Sequence, residues 1–300
     1  MMAGKRAMSE ITIDPGLEAD YNLRARHPDH PLFFARWAKW SGEVRARRAG
    51  TLDLRYGPGP GERVDVFPAA GAGAPLNVFI HGGYWRSLAK SDFSFVAEGL
   101  GADGAAVAVV DYDLAPAVTL EEIVAEVRRA VLWLAANARE FGADAGRLFV
   151  SGHSAGAHLV AALMTDAACT ATIAGGTAIS GLFELEPLLA CSVNEDLRLD
   201  AAAARGASPI HDAERIDAPL IVAVGADETS AFVAQSRDFA ERCRAAGVTV
   251  AYREVAGRHH FDIVEALFDP DDPLTRAIRD QMSGHDRRRR LSLGTRGWEA

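Results

Sequence analysis

The chain has 300 residues, 49% of them hydrophobic, and a formal net charge of −9. That is ample apolar material for one large α/β core and an unfavourable balance for a protein that must neutralise phosphates. It also lacks the run of about eighteen apolar residues that a membrane span needs, so neither nucleic acid nor membrane is expected as a partner. The basic opening leads into Ser9-Glu10-Ile11-Thr12, not an apolar stretch, so no secretory signal is expected. Cys169, Cys191 and Cys243, odd in number and without Cys-x-x-Cys spacing, read as reduced thiols of a cytoplasmic protein.

Residues 1–13 show no periodicity. Asp14-Pro15 suits the N-cap and first position of a short helix, and Phe33, Phe34, Trp37 and Trp40 recur at roughly helical spacing within 31–48. Residues 1–50 are expected as a helical cover, being too few to hold their own core. His27-Pro28-Asp29-His30 reads as a surface turn, since a proline interrupts it and no third metal ligand is near. Residues 52–56 and 63–67 alternate apolar and polar like half-buried antiparallel strands, joined by a Gly/Pro turn over 57–61.

A buried strand over 76–80 ends at His81-Gly82-Gly83-Tyr84-Trp85, and a helix is expected over 91–100. Residues 105–110 are apolar throughout, as a central parallel strand is. Asp111-Tyr112-Asp113-Leu114-Ala115-Pro116 follows. Thr119 and Glu122 form a capping box ahead of a helix whose apolar face carries Leu120, Ile123, Val127, Val131 and Leu134. Further strands are expected over 147–150, 172–180, 219–224 and 248–255, with helices over 230–246 and 274–282. Residues 181–207 read as a small lid. The tail over 284–300, with Arg287-Arg288-Arg289-Arg290, is expected to be disordered. The alternation predicts a mainly parallel sheet with helices on both faces.

Strand 147–150 leads into Gly152-His153-Ser154-Ala155-Gly156 and then a helix. Strand, Gly-x-Ser-x-Gly, helix is the setting in which a sharp turn holds a serine hydroxyl out at the sheet edge. Function in such sheets gathers beyond the carboxyl ends of the strands. Three of those ends carry, in chain order, Ser154, then Asp227 and Glu228, then His259 and His260. A serine hydroxyl needs an imidazole to take its proton, and the imidazole needs a carboxylate to fix its tautomer. His260 is preferred as the base because it directly precedes Phe261, where a helix begins. Glu228 is preferred as the acid on its position after Gly225, with Asp227 as the alternative. Gly82 or Gly83, with Ala155, would supply amides to an oxyanion, and Tyr84 and Trp85 are candidates to contact substrate. His81 reads as a residue holding its loop, and His158 as a buried structural histidine.

At these residues the sequence resembles the α/β-hydrolase superfamily, and within it the arylformamidase (kynurenine formamidase) branch. The likeness rests on His81-Gly82-Gly83-Tyr84-Trp85, on the Ser154 motif, on Asp111-Tyr112-Asp113-Leu114-Ala115-Pro116 and on Ser180-Gly181-Leu182-Phe183. It also includes Glu228-Thr229-Ser230-Ala231-Phe232, where the branch has an acid-Ser-x-Glu-Phe run; this again selects Glu228, although Ala231 replaces the run's Glu. An α/β-hydrolase domain is expected over 51–283; the resemblance, which spans roughly 21–268, implies a serine hydrolase cleaving a small N-formyl aryl amide through an acyl-serine, with no metal or other cofactor. A short-chain carboxylesterase and a non-catalytic ligand-binding member of the fold are the alternatives. A small molecule is the expected partner, and a homodimer is compatible with the sequence.

Overall fold

A computed structural model describes residues 11–294. Its strands are β1 (Thr51–Arg55), β2 (Arg63–Phe67), β3 (Ala74–Ile80), β4 (Ala106–Val110), β5 (Ala143–His153), β6 (Ile173–Ile179), β7 (Leu220–Gly225) and β8 (Val250–Val255). They form one sheet in the order β1-β2-β4-β3-β5-β6-β7-β8. β2 is antiparallel to both its neighbours, and the other pairs are parallel. Parallel pairing requires a crossover at each step. This explains why β4, buried at every position, has no polar face.

The helices are α1 (Pro15–Tyr21), α2 (Leu23–Arg26), α3 (His30–Arg47), α4 (Val96–Leu100), α5 (Leu120–Asn137), α6 (Ala155–Thr165), α7 (Asn194–Leu197), α8 (Ala201–Gly206), α9 (Ser230–Ala245) and α10 (Pro273–Gly294). The capping box is present: Thr119 Oγ1 accepts from the Glu122 amide, and Glu122 Oε2 accepts from the Thr119 amide at 2.7 Å. Such a cap is worth about 1 kcal/mol. α6 packs on β5 and β6, and α9 on β7 and β8.

Three expectations change. The helix over 91–100 shrinks to a 3-10 turn and the short α4, because Ser41 of α3 reaches into the gap. Its hydroxyl donates to the Asp92 carbonyl and accepts from the Phe95 amide, taking backbone groups that a continuous helix would use. β1 is not half-buried but an almost wholly exposed edge strand, with a bulge where Asp53 adopts φ +58°. The tail expected to be disordered from residue 284 is helical through Gly294, as the continuation of α10; residues 295–300 lie outside the described residues, as do 1–10.

α3 docks through aromatic packing. Trp37 is buried against Phe93, Phe95 and Phe261, with ring centroids 5.3, 6.5 and 6.4 Å away. Full burial of a phenylalanine such as Phe93 or Phe95 contributes roughly 1.5–3 kcal/mol. Glu265 accepts hydrogen bonds from Arg36 Nε and Trp37 Nε1, which fastens α3 beside the segment carrying His260.

α5 also braces the loop after β4. Glu126 is 5% exposed, and its Oε2 accepts from the Asp113 amide at 2.8 Å. Burial, with repulsion from Asp113 and Glu62, pushes its carboxyl up to about 7. A raised acid pKa gives stability that is complete below the ordinary value near 4.5 and lost as pH rises through about 7. Glu126→Gln is therefore expected to raise the urea midpoint above wild type at pH 8, with the difference closing by pH 4.

Candidate active site

Ser154 sits between β5 and α6 with φ +58° and ψ −121°, a strained turn for a residue with a side chain. The flanking glycines make that turn sterically feasible. A Cβ on Gly152 would stand 2.4 Å from the Gly156 carbonyl oxygen, and one on Gly156 2.0 Å from that of Ile80.

Ser154 Oγ lies 3.0 Å from His260 Nε2, and His260 Nδ1 lies 2.7 Å from Glu228 Oε2. The carboxylate can only accept, so Nδ1 carries the proton and Nε2 is left to accept from the serine. The second oxygen, Glu228 Oε1, accepts from Ser180 Oγ at 2.5 Å and from the Gly225 amide at 2.8 Å. Ser154, His260 and Glu228 are all under a tenth exposed. The structure thus joins the preferred three residues in one hydrogen-bonded chain. It leaves the alternative acid, Asp227, exposed at the surface. His259 is not free at the surface either: its ring stacks on His27 at 4.5 Å, and its Nδ1 accepts from the Phe261 amide.

The loop after β3 faces the serine. A Cβ on Gly82 would lie 3.0 Å from Ser154 Cβ, and Gly83 has φ +112°. No acceptor among the described residues takes the amide of Gly82 or Gly83. Ala155 opens α6, so its amide also lacks an intrahelical partner. His81 holds this loop as expected: Nδ1 bonds the Gly82 carbonyl at 2.7 Å and Nε2 faces Asp111 Oδ1 at 3.0 Å, with the ring stacked on Tyr112.

Tyr84 borders the cleft, and its hydroxyl donates to the Tyr21 carbonyl at 2.6 Å. Trp85, expected beside it as a substrate contact, is corrected: it is fully buried and turned away. It packs edge-on to His158 at 4.9 Å, because two successive residues with positive φ, Tyr84 and Trp85, turn the chain so that neighbouring rings take different sides of the loop. His158 is the buried histidine expected. Its Nε2 donates to the Ala207 carbonyl, and burial lowers its pKa to about 4.

The cleft above Ser154 has an aromatic wall of Tyr21, Phe34 and Phe261, with Arg24, Arg86 and Glu18 at its charged side. The 186–197 segment contributes Cys191 and Val193, and is tied to α1 by Glu18 bonds to the Ser192 amide and hydroxyl. Burial pushes the Cys191 thiol up to about 12, which makes it no rival nucleophile. Sequence reasoning missed two contributors. Ser180 carried a signal, lying at a strand end on the same edge as Ser154. The side chains of α1 and α2 are the other; the sequence marks their region only by the likeness of Tyr21-Asn22 and Arg26-His27-Pro28-Asp29 to the arylformamidase branch.

Strand order, nucleophile turn and buried Ser-His-Glu chain define a hydrolase of the α/β-hydrolase class. A family profile described as "alpha/beta hydrolase fold" matches residues 77–218. Kynurenine formamidase of Danio rerio is 32% identical over 79% of this chain and 84% of its own length. That of Drosophila melanogaster is 31% identical over 82% and 87%. A candidate thioesterase of Silicibacter sp. TM1040 superposes with a TM-score of 0.79 at 34% identity, covering 87% of this chain and 98% of its own. The chain belongs to the α/β-hydrolase family, as an arylformamidase-like member. Among the described residues no helix is long and apolar enough to cross a membrane.

Proposed function

We propose that the chain hydrolyses a small N-formyl aryl amide, in the manner of N-formylkynurenine, or a related ester, through a formyl-serine. The carrying observation is the hydrogen-bonded chain Ser154–His260–Glu228 at the floor of an aromatic cleft, in a protein similar to several kynurenine formamidases. Ser154 Oγ attacks the formyl carbon as its proton passes to His260 Nε2, and Glu228 holds the imidazolium by Nδ1. The amides of Gly82, Gly83 and Ala155 receive the charge developing on the carbonyl oxygen. As the C–N bond breaks, His260 returns its proton to the departing nitrogen. Water then attacks the formyl-serine with His260 again as base, giving formate and regenerated serine. The aryl group is accommodated by Tyr21, Phe34 and Phe261. A cytoplasmic setting suits the three free, buried cysteines.

Formate release from N-formylkynurenine, measured beside p-nitrophenyl acetate hydrolysis, tests this reading. A higher kcat/KM for the formamide is expected. Ester turnover without formate release would assign a general carboxylesterase. No turnover and no labelling by a fluorophosphonate probe would leave only a ligand-binding role.

A further inference from the structure

His153, the residue before the nucleophile, has a role that turn geometry does not explain. It is 3% exposed and borders the cleft. Its Nε2 lies 2.8 Å from the His260 carbonyl oxygen, which can only accept, so Nε2 must carry a proton. Burial and the neighbouring His260 ring hold the His153 pKa well below the ordinary imidazole value, so the ring is neutral and Nδ1 is a bare acceptor.

That acceptor has no partner among the described residues. It sits where the reaction occurs: a Cβ on Gly82 would be 3.5 Å from His153 Nδ1 and 3.0 Å from Ser154 Cβ. The His153 and His260 ring centroids are 4.7 Å apart. A leaving nitrogen placed to take a proton from His260 Nε2 therefore has the second imidazole at its side.

We propose that His153 Nδ1 accepts the hydrogen of the scissile amide N–H, making His153 a specificity residue that favours amides over esters. The proposal rests on the formamide reading above and deepens it. When Ser154 Oγ bonds to the carbonyl carbon, the amide nitrogen loses its planarity and its lone pair becomes basic. The lone pair must then point at His260 Nε2–H, which forces the existing N–H to swing aside. An acceptor at His153 Nδ1 favours that orientation and keeps its hydrogen bond as the C–N bond breaks and the nitrogen leaves as an amine. An ester oxygen has no hydrogen to offer and, once bound substrate has displaced water from the cleft, leaves this acceptor unpaired, the situation in which sites discriminate best.

The test uses formanilide and phenyl formate, which share the formyl and phenyl groups and differ in N–H against O. In His153→Gln, where the side-chain amide still reaches the His260 carbonyl but no acceptor stands at the Nδ1 position, the kcat/KM ratio of formanilide to phenyl formate is expected to fall about tenfold. In His153→Asn, whose Oδ1 replaces Nδ1, the ratio is expected to stay within about twofold of wild type. A ratio that holds in His153→Gln because both substrates lose equally overturns the proposal and leaves the formamide reading standing. Wild type that hydrolyses phenyl formate but not formanilide overturns both. Should the Gln variant not fold, a wild-type preference for formanilide over N-methylformanilide below about twofold overturns the assignment of the N–H contact.

Discussion

Ser154→Ala is expected to cut turnover of formamides and esters by at least about 10⁴-fold without disturbing the fold. The hydroxyl's hydrogen bond in the site is the one to His260 Nε2, so its removal leaves no buried carbonyl or amide unpaired. The cost of φ +58° is already carried by a residue with a Cβ, and alanine meets the same cost. What remains in the variant is substrate binding in the cleft and the loop amides, which sustain only a small residual rate. Initial rates on p-nitrophenyl acetate and formanilide, fluorophosphonate labelling and a melting curve together decide the matter. Lost turnover and labelling at an unchanged melting temperature are the expected set. Retained labelling would place the nucleophile elsewhere, and the buried Cys191 thiol is poorly suited to take its place.

The parts of this site that were legible in the sequence are those in which backbone geometry constrains residue type. Gly152 and Gly156 could not carry a Cβ where they stand, so the turn around Ser154 left a pattern visible without coordinates. β4 was equally plain, since a strand buried on both faces must be apolar at every position. His260 and Glu228 were readable because strand ends in a parallel sheet converge on one edge. The choice between Asp227 and Glu228 rests on which way one residue of a turn faces. In the structure Glu228 Oε2 stands 2.7 Å from His260 Nδ1 while Gly225 N–H holds Oε1, and Asp227 faces the surface.

Less legible were contacts made across long separations by residues of no special type. Ser41 interrupting the helix expected over 91–100, and Glu18 latching α1 to Ser192, depend on where α1 and α3 dock. Trp85 was misplaced for a related reason. Neighbouring aromatic residues look alike in sequence, yet successive positive φ values at Tyr84 and Trp85 send one ring to the cleft and the other beneath it. Tyr21 of α1 and Phe34 of α3 stand with Phe261 in the aromatic wall, so helices outside the sheet line the cleft above Ser154.

Glu228→Gln is expected to lower kcat by roughly 10³–10⁴-fold, whereas Asp227→Asn should stay within about twofold of wild type. Oε1 of Glu228 receives two donors, Ser180 Oγ–H and the Gly225 amide, and only an acceptor satisfies both. A glutamine at 228 must turn its carbonyl oxygen towards them, which directs its NH₂ group at His260 Nδ1. Nδ1 must then accept, the ring proton moves to Nε2, and Nε2 donates to Ser154 instead of taking its proton. The imidazole would be held in place in the tautomer that cannot act as base, so kcat should fall far more than KM changes. Asp227 is exposed, and its amide bonds the Arg258 carbonyl whatever its side chain. A loss below about tenfold in Glu228→Gln, or a matching loss in Asp227→Asn, would break the connection between the carboxylate seen beside His260 and the proton transfer assigned to it.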